Sequence, residues 1–102
     1  MDSCKIIISS RAQSDLAECV GFVLNVSREA AWKLAEEIYS FIESLSFFPE
    51  RYPVFKMPKA TPITLRKGVV SKRYAILYSI ENENVVIYRI LDLRKGFDQL
   101  VY

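Results

Sequence analysis

The chain has 102 residues, about half of them apolar, and its net charge is only +2. This length suits one small domain with a single core, and the apolar content predicts a globular chain. The sequence contains no histidine, which excludes Ser-His-Asp and Cys-His catalysis and removes the commonest zinc ligand. We therefore expect one domain over residues 1–102, with no metal and no cofactor.

The cysteines and the apolar runs predict the cellular compartment of the protein. Cys4 and Cys19 are too few for a disulfide framework. No apolar run reaches the roughly 18 residues of a membrane span. The short apolar run that follows Asp2 is unlike a secretory signal. We expect a cytoplasmic protein that does not contact a membrane.

Two amphipathic helices are predicted in the first half of the chain. Lys5–Ser9 is a short β-branched run typical of a strand, and Ser10 follows it as the predicted cap of a first helix. Apolar residues then recur at helical spacing to about Asn25. Ser27 predicts the cap of a second helix, whose apolar stripe runs to about Phe47. The short gap between the helices predicts an antiparallel hairpin.

The second half of the chain is predicted to form strands. All four prolines lie between Pro49 and Pro62, which predicts an irregular surface connection. Strands are expected over Ile63–Val70, Tyr74–Ile80 and Val85–Leu93, the last one central in the sheet. The order β-α-α-β-β-β predicts an α+β fold: an antiparallel helical hairpin packed on a mostly antiparallel four-stranded sheet that includes the N-terminal strand. We expect the opposite sheet face to be available for binding.

Basic side chains concentrate in this second half, although the net charge is small. A basic face can attract a polyanion even on a nearly neutral protein. The same side chains could equally be solvated strand ends. Arg89 lies inside an apolar strand, so it needs either a carboxylate partner or an open face. The basic candidates for a functional site are Arg66, Lys67, Lys72, Arg73, Arg89, Arg94 and Lys95.

Several segments, in order, resemble one family of bacterial toxins. The phrase IISSRAQSDLAECVGFV is similar to the opening of RelE/ParE toxins, a strand followed by a helix that begins Ala-x-x-Asp-Leu. The stretch AAWKLAEEIYSFIESLSFFPERYP resembles the second helix and the Pro-x-Arg-Tyr-Pro ending of the plasmid-stabilisation subgroup. The stretches KRYAILYSI and VVIYRILDLRKG resemble the family's last two strands. The chain is thus identified as a member of the RelE/ParE superfamily.

The resemblance implies a growth-inhibiting toxin of a type II toxin–antitoxin system, neutralised by a cognate antitoxin. RelE-like members cleave mRNA inside the ribosome, where basic side chains contact phosphates and a tyrosine assists proton transfer. ParE-like members inhibit DNA gyrase by binding it. The partners implied are therefore an antitoxin and either gyrase or the ribosome with its mRNA. A non-toxic member that retains antitoxin binding is the third possibility.

The residues of a RelE-like nuclease carry over incompletely. If the chain is RelE-like, the catalytic set is Arg66, Lys67, Arg94, Lys95 and Tyr102. Gly68 and Ala75 stand where that chemistry favours basic side chains, and loss of one charge-stabilising group commonly costs orders of magnitude in rate. This pattern favours a ParE-like toxin that acts by binding, with Lys72, Arg73 and Arg89 as the candidate target-binding residues.

Overall fold

The computed structural model describes residues 4–56 and 62–96, and they form two helices packed on one mixed sheet. The chain begins with strand β1 (Lys5–Ile8), followed by helices α1 (Ser10–Leu24) and α2 (Arg28–Ser44). A short 3₁₀ turn, Pro49–Arg51, leads to strand β2 (Val54–Phe55). The remaining strands are β3 (Leu65–Val70), β4 (Tyr74–Glu81) and β5 (Asn84–Asp92), followed by a second 3₁₀ turn, Leu93–Lys95.

The sheet has five strands in the order β1-β5-β4-β3-β2. Only β1 pairs in parallel, with β5, and all the other pairings are antiparallel. The predicted α+β class is confirmed, and β5 lies inside the sheet as expected, between β1 and β4, although the middle strand is β4. The fifth strand was not predicted, because Val54 and Phe55 lie between prolines and become a strand only by pairing with Arg66 and Leu65.

Two serines cap the helices, and one differs from the prediction. Ser9, not Ser10, caps α1, since its hydroxyl accepts the N–H of Ala12 at 3.0 Å. Ser27 caps α2 as predicted and accepts the N–H of Ala30. Each hydroxyl satisfies an N–H that the first helical turn leaves unpaired.

Helix α2 ends at Ser44, about one turn before the predicted end near Phe47. Phe48 then adopts a left-handed backbone conformation (φ 55°), which redirects the chain into the 3₁₀ turn before Pro49 blocks further helix.

The core lies between the helical hairpin and the sheet. Alternate β4 residues Tyr74, Ile76 and Tyr78 are almost completely buried and pack against Ile38 and Ile42 of α2. The hydroxyl of Tyr78 donates to the carbonyl of Pro49 at 2.6 Å, so the buried ring also holds the connection after α2.

A second apolar cluster occupies the sheet face opposite the helices. Leu65, Ala75, Leu77 and Leu91 are buried there, and Phe55 packs against them. The expectation of an open working face is therefore wrong for the middle of this face.

Candidate functional site

Arg89, one of the predicted target-binding residues, is paired with a carboxylate of α1. Its Nε donates to Asp15 at 2.8 Å and a terminal guanidinium nitrogen donates at 3.2 Å. Only 13% of the Arg89 side chain and 10% of the Asp15 side chain are exposed. Arg89 was expected to have either a carboxylate partner or an open face, and the structure shows the carboxylate partner.

Arg66 and Lys67 are neighbours on β3, but their side chains reach different surroundings. One terminal nitrogen of Arg66 donates to the carbonyls of Tyr52 and Glu50, at 2.6 and 3.1 Å. Arg66 thereby holds the connection between α2 and β2. The Lys67 ammonium lies 5.4 Å from the centre of the Phe55 ring, at the margin of the second apolar cluster.

The absence of a side chain at Gly68 is explained by packing. A Cβ at this position would collide with the Phe41 ring, whose Cε carbons would lie at 3.0 and 3.1 Å. Carbon atoms in a close-packed core do not approach one another this closely. The ring of Phe41 therefore occupies the space that a basic side chain of a RelE-like site would need.

Four basic residues gather at the end of the sheet where β4 begins and β5 ends. Tyr74 pairs with Asp92, and the N–H of Leu93 donates to the carbonyl of Arg73 at 2.7 Å. The β3–β4 turn and the turn after β5 are therefore adjacent. We call this surface the basic end; its cations are Lys72, Arg73, Arg94 and Lys95.

Local contacts orient the cations of the basic end. Arg94 makes two side-chain bonds to Asp92, at 2.7 and 3.1 Å, and its guanidinium lies 5.8 Å from the Phe22 ring centre. The Lys95 ammonium is 3.7 Å from Glu18, in an exposed pair. Arg73 keeps a buried Nε without a hydrogen-bond partner in the described residues.

The backbone of the β3–β4 turn is strained where it presents Lys72. Ser71 and Lys72 both have positive φ, 55° and 57°, a region that L-residues other than Asn and Asp rarely adopt. The Ser71 hydroxyl bonds to Glu37 of α2, which ties the turn to the helical hairpin.

The titratable groups of the described residues near the basic end that have shifted pKa values include Cys19, Tyr74 and Asp92. Burial, reinforced by Asp92 and other carboxylates, raises the pKa of Cys19 to about 11. Burial also raises the pKa of Tyr74. Hydrogen bonds from Arg94 lower the pKa of Asp92. Cys19 is therefore a thiol at neutral pH and not a nucleophile, since only the thiolate is nucleophilic.

Among the predicted nuclease residues that the structure describes, Arg66 lies away from Arg94 and Lys95. Arg66 pairs with Tyr78 and Asp92 pairs with Tyr74, so Arg66 and the basic end differ by four residues along β4. This offset corresponds to about 13 Å along the sheet, in addition to two strand spacings of about 5 Å across it. Tyr102 lies outside the described residues. Among residues 4–56 and 62–96, no group of acidic, Cys or His side chains could hold a metal ion.

An apolar groove runs along the outer surface of the helical hairpin. Its floor is formed by Ala17 and Val20 of α1 and Ala35 of α2, and the groove encloses about 420 Å³. Ala35 and Tyr39 also line a second depression of about 370 Å³ beside Trp32. Trp32 is 72% exposed and Tyr39 is 47% exposed. We call this surface the hairpin groove. The groove was not predicted from the sequence, because it forms only where the two helices pack together.

A polar cluster at the margin of the opposite sheet face was missed from the sequence. Glu81 accepts hydrogen bonds from the hydroxyls of Ser79 and Tyr88, the latter at 2.6 Å. Ser79 and Glu81 are two residues apart and share a strand face, so this part of the cluster could have been predicted from the sequence. Tyr88 joins them only through a β-bulge between β4 and β5, where Leu77 pairs with Arg89 but Tyr78 pairs with Ile87.

Comparisons with known proteins agree with this fold. A protein-family model described as the ParE toxin of the type II toxin–antitoxin system parDE matches residues 6–96. Among solved structures, a chain titled "Chromosomal ParDE TA system from P. aeruginosa" superposes with a TM-score of 0.70, over 88% of this chain and 96% of that chain. The two are 16% identical, so this likeness concerns the fold. The search of curated proteins found no match. In the described residues, no helix is long and apolar enough to cross a membrane.

Proposed function

Because the chain belongs to the ParE toxin family of type II toxin–antitoxin systems, we propose that it inhibits bacterial growth by binding DNA gyrase. A cognate antitoxin neutralises it. In this proposal the toxin acts by occupying a surface of its target and performs no chemistry of its own.

The observation that carries the proposal is the dispersal of the residues a nuclease would need. Arg66 is bonded to two backbone carbonyls, and Arg94 is bonded to Asp92. Gly68 is packed under Phe41, and Ala75 is buried in the second apolar cluster. Phosphate cleavage without a histidine requires several cations to converge on one phosphate, and these four positions support binding instead.

The basic end is the proposed gyrase-binding surface. Lys72 and Arg73 project from a turn tied to α2, beside the partly exposed Arg94. A cationic patch on a rigid support favours association with an anionic surface and accelerates encounter. Arg89 acts indirectly in this account, because its guanidinium is held by Asp15 and positions α1 against β5.

A charge-reversal experiment tests this surface. Lys72→Glu combined with Arg73→Glu should raise the concentration needed for half-inhibition of gyrase supercoiling at least tenfold. Lys33→Glu, an exposed reversal on α2, is the matched control and should leave inhibition within twofold. Equal inhibition by all three proteins would remove the basic end from the proposal.

The hairpin groove is the proposed antitoxin surface. Apolar grooves bind amphipathic segments through buried anchors, and Trp32 and Tyr39 are residue types that dominate interface energetics. Glu36 and Glu43 flank the groove, so basic residues beside the apolar anchors would suit the antitoxin segment.

Substitution in the groove tests antitoxin binding separately from toxicity. Trp32→Ala should weaken the complex with the antitoxin encoded beside this chain at least tenfold and should leave gyrase inhibition unchanged. Phe47→Ala removes an aromatic of similar exposure, 55%, outside the groove and should have little effect on antitoxin affinity. If Phe47→Ala weakens the complex and Trp32→Ala does not, the groove is not the antitoxin surface.

Two other outcomes define the alternatives. Cleavage of mRNA in the A site of programmed ribosomes would establish the RelE-like activity. Normal growth of bacteria that accumulate the soluble protein without antitoxin would indicate a non-toxic member that retains antitoxin binding.

A further inference from the structure

A pocket of about 330 Å³ lies at the margin of the sheet face opposite the helices, around Glu81. Its lining combines the apolar residues Pro62 and Ile63 with Tyr88, and its polar groups are Thr64, Ser79 and Glu81. We call it the Glu81 pocket. It is separate from the basic end, which lies at the opposite end of β4, and from the hairpin groove, which lies on the other side of the sheet.

Glu81 has a fixed orientation in this pocket. The Ser79 and Tyr88 hydroxyls both donate to the same carboxylate oxygen, Oε2. Ser79 is buried and comes from β4, whereas Tyr88 comes from the bulge of β5. Donors from two strands thus hold one side of the carboxylate, and Oε1 is left to face a ligand.

The same hydrogen bonds keep the pocket anionic. Donation from Ser79 and Tyr88 lowers the pKa of Glu81, and the bond to Glu81 together with burial raises the pKa of Tyr88. Both changes keep the proton on the tyrosine and the charge on the carboxylate at neutral pH.

The chemistry around the carboxylate selects a particular kind of cation. A planar guanidinium can pair with a carboxylate while its face contacts an aromatic ring, and it is more weakly hydrated than an ammonium. Its aliphatic stem also fits apolar lining residues such as Pro62 and Ile63. The negative charge of Glu81 disfavours free arginine, which carries its own carboxylate, relative to an arginine within a polypeptide.

We propose that the Glu81 pocket binds an arginine side chain of a protein partner. The guanidinium pairs with Oε1 of Glu81 and lies against Tyr88, while its stem contacts the apolar walls. This site is independent of gyrase inhibition and of the hairpin groove, so its test does not depend on either proposal.

The test uses the whole purified chain and N-acetyl-arginine amide, which carries the guanidinium without a free carboxylate. Titration followed by ¹H–¹⁵N NMR should give saturable shifts at the β4–β5 hairpin, with a Kd on the order of millimolar, as suits a single side chain. N-acetyl-citrulline amide has nearly the same shape without the charge and should give no saturable shift. Binding of the citrulline compound with equal affinity would overturn the proposal.

Two carboxylate variants separate the pocket from general attraction between opposite charges. Glu81→Gln should weaken binding of N-acetyl-arginine amide at least tenfold. Glu83→Gln makes the same change of charge two residues away and should alter the affinity less than twofold. Equal losses in both variants, or shifts that map away from Ser79, Glu81 and Tyr88, would refute the site. The NMR spectrum of each variant also verifies that it remains folded.

A peptide distinguishes a partner's side chain from a free organic cation. Acetyl-Leu-Arg-Leu-amide should bind several-fold more tightly than N-acetyl-arginine amide, because its flanking side chains can add contacts on the sheet margin. Free agmatine binding more tightly than the peptide would contradict the assignment to a protein partner.

Discussion

Asp15 of α1 and Arg89 of β5 form a buried ion pair that completes the edge of the sheet. Strand β1 ends opposite Ile87, so it no longer reaches the next part of β5. Beyond the end of β1, Asp15 supplies the hydrogen-bond acceptor for β5. Its Oδ2 accepts from the Arg89 Nε at 2.8 Å and from the backbone N–H of Ile90 at 2.9 Å. The family-like Asp in the first helix therefore has a structural explanation: it docks α1 on the sheet.

Removing the Asp15 carboxylate should be strongly destabilising. Asp15→Ala removes the carboxylate that accepts from the nearly buried Arg89 guanidinium and from the backbone N–H of Ile90, so the free energy of unfolding should fall by about 3–5 kcal/mol. Urea unfolding measures the change. Glu18→Ala, one helical turn later and solvent-exposed, is the control and should cost less than about 0.5 kcal/mol.

A double variant keeps this prediction open to refutation if Asp15→Ala fails to fold. Asp15→Leu with Arg89→Met replaces the pair by apolar side chains and should recover much of the loss, since it removes the guanidinium together with its carboxylate partner. A double variant less stable than Asp15→Ala would contradict the account of the pair.

Two glycines should respond in opposite directions to the same substitution. Gly68→Ala forces a Cβ against Phe41 and should reduce stability by about 1–3 kcal/mol. Gly21→Ala meets nothing within 4 Å in α1 and should increase stability by about 0.5–1 kcal/mol, because alanine is the better helix former. Thermal unfolding of both variants measures the two changes in stability. Adding Phe41→Leu to Gly68→Ala should restore part of the lost stability.

The strained β3–β4 turn provides a way to stabilise the protein. Lys72→Gly relieves a positive φ and should raise the free energy of unfolding by about 0.5–1 kcal/mol. The gain should exceed that of Asn82→Gly at the other hairpin, because asparagine tolerates φ of 60° better than lysine does. Denaturant unfolding of the two variants compares them directly. A destabilised Lys72→Gly would show that the lysine side chain holds the turn.

Acid should weaken the fold partly through Asp92. Its pKa is lowered in the folded protein by hydrogen bonds from Arg94. A lowered folded pKa contributes stability above the unfolded value of about 3.9, and this stability is lost as the pH falls through the folded pKa. Arg94→Gln should therefore destabilise the protein at pH 7 and reduce the further loss of stability below about pH 4. Parallel pH series of urea unfolding would detect this, and superimposable curves would exclude the linkage.

The sequence predicted the elements well because their signals are local. Apolar spacing identifies both helices, and alternation identifies β4. The fifth strand could not be predicted from the sequence, since Val54 and Phe55 form a strand only by pairing with β3. The second apolar cluster was missed for a related reason. Alternation in β4 shows that Ala75 and Leu77 share a face, but it does not show that β2 and β3 contribute further apolar residues to it.

The site residues were harder to predict than the elements because their roles depend on tertiary neighbours. Arg89 had two open explanations until the position of Asp15 was known. The absence of a basic residue at Gly68 was noted from the sequence, but its cause, the Phe41 ring, comes from a different element. The Glu81 pocket depends on a bulge, which no local pattern in β5 indicates.

The most direct test of the account is a supercoiling assay with purified DNA gyrase, run beside programmed ribosomes that receive the same preparation of the protein. The account predicts inhibition of supercoiling at toxin concentrations comparable to that of gyrase, reversal by the cognate antitoxin, and intact mRNA. Undisturbed supercoiling at large excess of the protein, together with mRNA cleavage in the A site, would contradict it.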